Sequence, residues 1–128
     1  MEQAIIDQIL SAEAHALATT GPHGVNVVPV SVVEVEGGII RLFNFFMSKS
    51  VENQLAEPAV ALTCWSGLQG IQVKAAAAYL TEGKRFAAKV AEMKERFPSR
   101  TLAGVIELTP TAVFDVSADS ERAGKRLG

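Results

Sequence analysis

What this chain lacks narrows its function quickly. It has a single cysteine, Cys64, so no internal disulfide can form, and a reducing cytoplasm is the expected setting. His15, His23 and Cys64 are the only imidazole and thiol groups, and their spacing matches no zinc pattern. Two histidines, one of them in a turn, do not build a nucleophile–base pair, and no catalytic side chain is assigned. There is no G-x-G-x-x-G and no Walker A motif. Excess positive charge is also missing: a net charge of −2 and a pI of about 5.7 argue against a nucleic-acid partner. No apolar run reaches the ~18 residues of a membrane span. The start, Met1-Glu2-Gln3-Ala4, has no basic region, so no signal peptide is expected. No linker, low-complexity tract or repeat divides the chain.

What is present is apolar. The 128 residues suit one domain, yet 48% are hydrophobic and the mean hydropathy is +0.22. That is high for a small chain, and part of the surface is expected to be buried against a second copy.

Ile5, Ile6, Ile9 and Leu10 have helical spacing. His15–Thr20 reads as a strand, followed by the turn cluster Gly21-Pro22-His23-Gly24. Val25–Glu36 is dense in valine and reads as one strand. Gly37-Gly38 turns it into Ile39–Asn44, completing a three-stranded meander. A helix over about Ser48–Glu57 stops at Pro58. Ala59–Trp65 and Gln69–Thr81 read as strands around Ser66-Gly67. Lys84–Phe97 is a helix with Phe86, Val90, Met93 and Phe97 on one stripe. Ala103–Leu108 and Thr111–Val116 form one final strand or two, kinked at Pro110. Residues 117–128 are charged and expected to be a loose tail. Hairpin-linked strands with inserted helices favour an antiparallel barrel over a parallel sheet. The valine strand is apolar on both faces, so one face should fill the barrel and the other meet a partner or cofactor.

The most informative stretch is Arg41–Asn53, a strand running into the first turn of a helix with Ser48, Lys49 and Ser50 at the junction. Free backbone N–H groups and the positive dipole end attract anions there, and a lysine with two hydroxyls makes a phosphate seat. Val51 and Asn53 stand where a Glu or Gln would close a capping box, which favours another use for the serines. Phe45, Phe46 and Met47 just before it could carry the flat part of a phosphorylated cofactor. The bland alternative is a solvated lysine behind a serine cap. Pro29 donates no ladder hydrogen bond, so it marks an edge or bulge; a compatible reading is that the break frees Pro29, Val30 and Ser31 for a ligand. Taken singly, Trp65 reads as a core or interface residue, and Gln72 and Lys74 as exposed strand positions. Glu34 and Glu36 read as solvated. Any redox chemistry would need a bound cofactor.

Four motifs in order carry a resemblance. They are Ala16-Leu17-Ala18-Thr19-Thr20 with a Gly-Pro-x-Gly turn, Val27-Val28-Pro29-Val30-Ser31, Met47-Ser48-Lys49-Ser50-x-x-Asn53, and Gly70-x-Gln72-Val73-Lys74-x-x-Ala77. Over Ile5–Val116 the chain resembles the pyridoxamine-phosphate-oxidase-like FMN-binding split-barrel family, in its small bacterial form. The resemblance implies a mainly β fold: a six-stranded antiparallel split β-barrel of Greek-key type with flanking helices. It also implies a homodimer with FMN at the interface. Lys49 and Ser50 would hold the phosphate, with Ser48 nearby. Pro29, Val30 and Ser31 would lie along the isoalloxazine. Asn44, Phe45, Phe46 and Met47 would supply wall and backbone contacts, and Trp65, Gln72 and Lys74 would reach the flavin across the dimer. The tail Glu121–Gly128 does not resemble the basic C-terminal segment of true pyridoxamine-phosphate oxidases, so vitamin B6 oxidation is not expected. The expectation is a flavoprotein acting in electron transfer or as a small flavin-dependent oxidoreductase, with an unknown redox partner or substrate. An F420-binding reductase, a non-catalytic dimeric ligand-binding barrel and a purely structural dimer stand as alternatives. Two histidines speak against haem.

Overall fold

The computed structural model describes all 128 residues. It holds three helices and seven strands: α1 (Gln3–Ser11), β1 (Ala14–Thr19), β2 (Asn26–Pro29), β3 (Val33–Glu36), β4 (Ile39–Asn44), α2 (Lys49–Ala56), β5 (Ala59–Ser66), β6 (Gln69–Leu80), α3 (Lys84–Arg96) and β7 (Gly104–Asp115). No helix is long and apolar enough to cross a membrane.

All strands pair antiparallel in one sheet, ordered β2-β1-β5-β6-β7-β4-β3. The strand expected over Val25–Glu36 is therefore two strands, on opposite edges of the sheet. The count is seven, not six, and the first half is not a meander. The break falls just after Pro29, whose ring cannot extend the ladder as a donor. Laid flat, seven strands would put their edges about 29 Å apart. The four peptide steps from Pro29 to Val33 span at most about 14 Å. The sheet must curl until its edges approach, and residues 30–32 bridge the seam.

Inside the curl lies a core of 15 buried residues, including Leu17, Ile40, Leu62, Val73 and Leu108. Ile5 and Ile9 of α1 close one end of it, each worth roughly 1.5–3 kcal/mol of burial. The α3 stripe packs outside the curl, where Phe86, Val90, Met93 and Phe97 meet Val32, Phe43, Leu102 and Val105. So β4 and the start of β7 are covered on both faces. Gly37 and Gly38, both at positive φ, make the tight β3–β4 turn. β7 is a single strand, and its kink is a bulge: the register shifts opposite Lys74 and Ala75, at Thr111.

Two other expectations change. Residues 117–128 are not loose. Leu127 N–H donates to the Val113 carbonyl at 2.7 Å, Asp115 N–H to that of Lys125 at 2.8 Å, and Phe114 bridges Arg126. The alternating donors of β7 supply a template that charge composition alone does not reveal. Glu34 and Glu36 are not simply solvated either. Arg41, only 7% exposed, donates to Glu36 at 2.9 Å, Glu34 at 3.2 Å and Glu107 at 3.0 Å. Arg85 and Lys89 of α3 add bonds to Glu107 and Glu34, fastening the helix to β3 and β7.

Candidate functional site

The seam creates a hollow. Val28, Pro29, Val30 and Ser31 form one wall; Phe43, Phe45, Phe46 and Met47 form the other, around about 290 Å³. Six residues expected to face a cofactor (Pro29, Val30, Ser31, Phe45, Phe46 and Met47) thus meet in one place. Val28 and Phe43 join them unforeseen. Their positions beside Pro29 and Asn44 were the available signal. Phe46 is 83% exposed, so the hollow is open on that side. None of its eight lining residues ionises.

At Met47 the chain turns into α2. Ser48 occupies the N-cap position without making a side-chain cap bond. The first helical hydrogen bond is Glu52 N–H to the Ser48 carbonyl, which leaves the amides of Lys49, Ser50 and Val51 without acceptors. Lys49 is exposed and takes part in none of the eight ion pairs. Its charge opposes the helix dipole by roughly 0.3–1 kcal/mol, a cost that a bound anion would reverse. Ser50 is buried, and its hydroxyl accepts a 3.0 Å bond from the Asn26 side chain. It fixes α2 to β2.

Asn53 explains why α2 sits here. Fully buried, it accepts from the His23 amide at 2.9 Å and donates to the Gly24 carbonyl at 2.9 Å and the Thr19 hydroxyl at 3.2 Å. His23 also pairs with Glu52. The helix is thereby held against the turn that precedes β2. Asn44 points inward rather than into the hollow. It donates to the Tyr79 hydroxyl at 2.8 Å and accepts from the Met47 amide at 2.6 Å, shaping the turn that carries Phe45 and Phe46.

Trp65, Gln72 and Lys74 do not line the hollow. They lie on the outer face of the sheet. Gln72 shares a cross-strand row with Thr63, Ala16 and Pro29, and stands about 14 Å from Pro29, three strand spacings away. Lys74 heads the next row, with Ala61, Ala18 and Val27. No helix covers the outer face here, over β2, β1, β5 and the start of β6; α3 lies on its other part, over β4 and the start of β7. Small residues and the exposed Val27, at 62%, share it with Thr63, Gln72 and Lys74.

Within the curl, burial pushes the Cys64 thiol up to about 12, which leaves it inert.

The pyridoxamine 5'-phosphate oxidase family profile matches residues 1–122. No curated protein matches the chain. Among solved structures, HupZ of Group A Streptococcus superposes with a TM-score of 0.82 at 16% identity, covering 100% of this chain and 99% of its own. An FMN-binding protein of Syntrophomonas wolfei gives 0.72 at 17% identity, with 91% and 90% covered. HutZ, the haem storage protein of Vibrio cholerae, gives 0.68 at 17% identity, with 88% and 92% covered. An F420 reductase and an FAD-binding protein share the fold as well. At these identities the likeness speaks to the fold. The profile match runs over nearly the whole sequence, from α1 through the hollow to β7, and on that ground the chain belongs to the pyridoxamine 5'-phosphate oxidase family.

Proposed function

We propose that this protein is a cytoplasmic, homodimeric FMN flavoprotein that moves electrons, as a carrier or as a small flavin-dependent oxidoreductase. One observation carries the reading. An apolar hollow walled by Phe45, Phe46 and Pro29–Ser31 leads, through Met47, to three free amides and an unpaired lysine. A flavin mononucleotide is a flat apolar ring joined to a phosphate, and it matches that order of features.

The hollow is suited to such a group by its chemistry. Its apolar walls can hold a ring, and the start of α2 can hold a dianion. At about 290 Å³ it lies at the lower end of small-molecule sites, so one chain does not enclose the ring. A second copy seated on the outer face of β2, β1, β5 and β6 would complete it. Trp65, Gln72 and Lys74 lie on that face, which is where a partner's residues would approach the cofactor.

When bound, FMN supplies reversible electron transfer. The chain's own contribution is placement. Lys49 and the Lys49–Val51 amides would hold the phosphate, while Pro29–Ser31 and Phe45–Met47 would line one side of the ring. Within one chain no ionisable group lines the hollow, so a proton would come from the partner's face or from solvent. That suits a carrier, or a reductase whose substrate takes its proton from solvent.

The test is a visible spectrum of purified protein, repeated after adding FMN and desalting. A retained two-band flavin spectrum is expected. A colourless protein after that challenge would overturn the reading and bring deazaflavin F420 or haem forward, each tested by the same reconstitution.

A further inference from the structure

We propose that Arg100 recognises an anionic group, a carboxylate or a phosphate, on the small molecule that exchanges electrons at the hollow. This rests on the flavin reading above and adds the chemistry of the reaction partner.

Arg100 follows the end of α3. Its amide donates to the Phe97 carbonyl at 3.0 Å, which closes the turn through Pro98 and Ser99. The guanidinium then lies 4.6 Å from the Phe97 ring centre and 5.2 Å from that of Phe45. Those two rings pack edge to face, 5.7 Å apart. Phe45 is itself a wall of the hollow. The half-buried guanidinium is thus held beside the site by two aromatic faces.

Stacking fixes the group without using its N–H donors. Arg100 joins none of the eight ion pairs, and its side chain makes no hydrogen bond. Arg41 and Arg85 differ, since carboxylates occupy both. Arg96 stacks on the same Phe97 ring at 5.3 Å and also lacks a carboxylate. It borders a crevice of about 400 Å³ that shares Val30 and Ser31 with the hollow. Exposed Glu13 borders that crevice too, but does not pair with Arg96. Two unneutralised cations on one ring repel each other, and an anion beside them relieves that repulsion. A planar fork with free donors is the form in which arginine reads a carboxylate or phosphate. If the stack served only to pin the turn, its removal would lower stability and leave ligand choice alone.

The test uses FMN-loaded protein titrated with benzoate, phenyl phosphate and benzamide, followed by perturbation of the flavin spectrum. The anionic probes are expected to bind at least about tenfold tighter than isosteric benzamide, with the difference shrinking in high salt. The tighter anion tells carboxylate from phosphate. Arg100→Gln should abolish the preference with FMN affinity unchanged, and Arg100→Lys should keep part of it. Equal binding of benzoate, phenyl phosphate and benzamide by the wild type, or a preference that survives in Arg100→Gln, overturns the proposal. If the protein refuses FMN, the functional reading fails separately. Calorimetric titration of the flavin-free protein with phenyl phosphate then decides the anion site: binding lost in Arg100→Gln supports it, and equal binding overturns it.

Discussion

The ring of Tyr79 occupies the space that Gly104 leaves open: a Cβ on Gly104 would collide with it. Gly104 pairs with Asn44 across β4 and β7, and Asn44 bonds the Tyr79 hydroxyl. The missing side chain thus admits the ring that orients Asn44, and Asn44 shapes the turn into the hollow. Gly104→Ala is expected to cost about 1–3 kcal/mol by overpacking. It should also loosen FMN by displacing Phe45 and Phe46. Urea unfolding of the variant checks the first point, and an unchanged midpoint would refute it.

Lys49→Ala separates binding from folding. Losing a charge-assisted contact to phosphate should weaken FMN about ten- to a hundredfold. The loss should shrink as salt is raised. The flavin-free protein should gain up to about 1 kcal/mol, because a cation leaves the positive end of α2. Fluorescence titration of FMN at two ionic strengths, with a thermal melt of the unliganded variant, reads both signs. Unchanged affinity would remove Lys49 from the phosphate site.

Local signals carried much of this fold into the sequence. The Phe86–Phe97 stripe, the Gly37-Gly38 turn and the Pro58 stop are each set by neighbours in the chain, and each lies where periodicity and turn chemistry place it. The run Phe45–Ser50 likewise announced an apolar wall next to a helix start with free amides. What was hidden depends on distant pairing. Nothing local says that the two halves of the valine strand lie on opposite edges, since that follows from β1, β5, β6, β7 and β4 filling the space between. Asn53 looked like part of an incomplete cap, because Thr19, His23 and Gly24 become its partners only after folding. Arg100 went unread, because the turn that sets it on Phe45 and Phe97 exists only after folding. The clue was the alternation Arg96-Phe97-Pro98-Ser99-Arg100, two cations around an aromatic.

Arg41 lies at the centre of a charge cluster that holds α3. Arg41→Ala would leave the half-buried Glu34 and Glu107 short of a partner and should destabilise the fold by roughly 3 kcal/mol. Burial pulls the Glu107 carboxyl upward, but hydrogen bonds and charge from Arg85 and Arg41 outweigh it and hold it below the usual carboxylate range. A depressed folded value means its stabilisation is complete above the unfolded value, about 4.5, and is lost as pH falls through the folded one. Wild-type stability should therefore decline below about pH 4.5, and Arg41→Ala should flatten that decline. Urea midpoints against pH for both proteins provide the check.

Cys64 gives a simple probe of global opening. With its thiol pushed up to about 12, only about one molecule in ten thousand carries a thiolate at pH 8, and the side chain is 2% exposed. An aromatic disulfide reagent should leave the native protein unmodified and titrate one thiol after unfolding in guanidinium. Rapid labelling of native protein would contradict this burial.

Residues 30–32 have two duties at once. They cross the seam between the sheet's two ends, and Val30 forms part of the hollow's wall. A ligand resting on that wall therefore grips the one short strap that keeps the curled sheet shut. Cofactor loading should slow amide hydrogen exchange in β2 and β3 together, although they share no ladder bond.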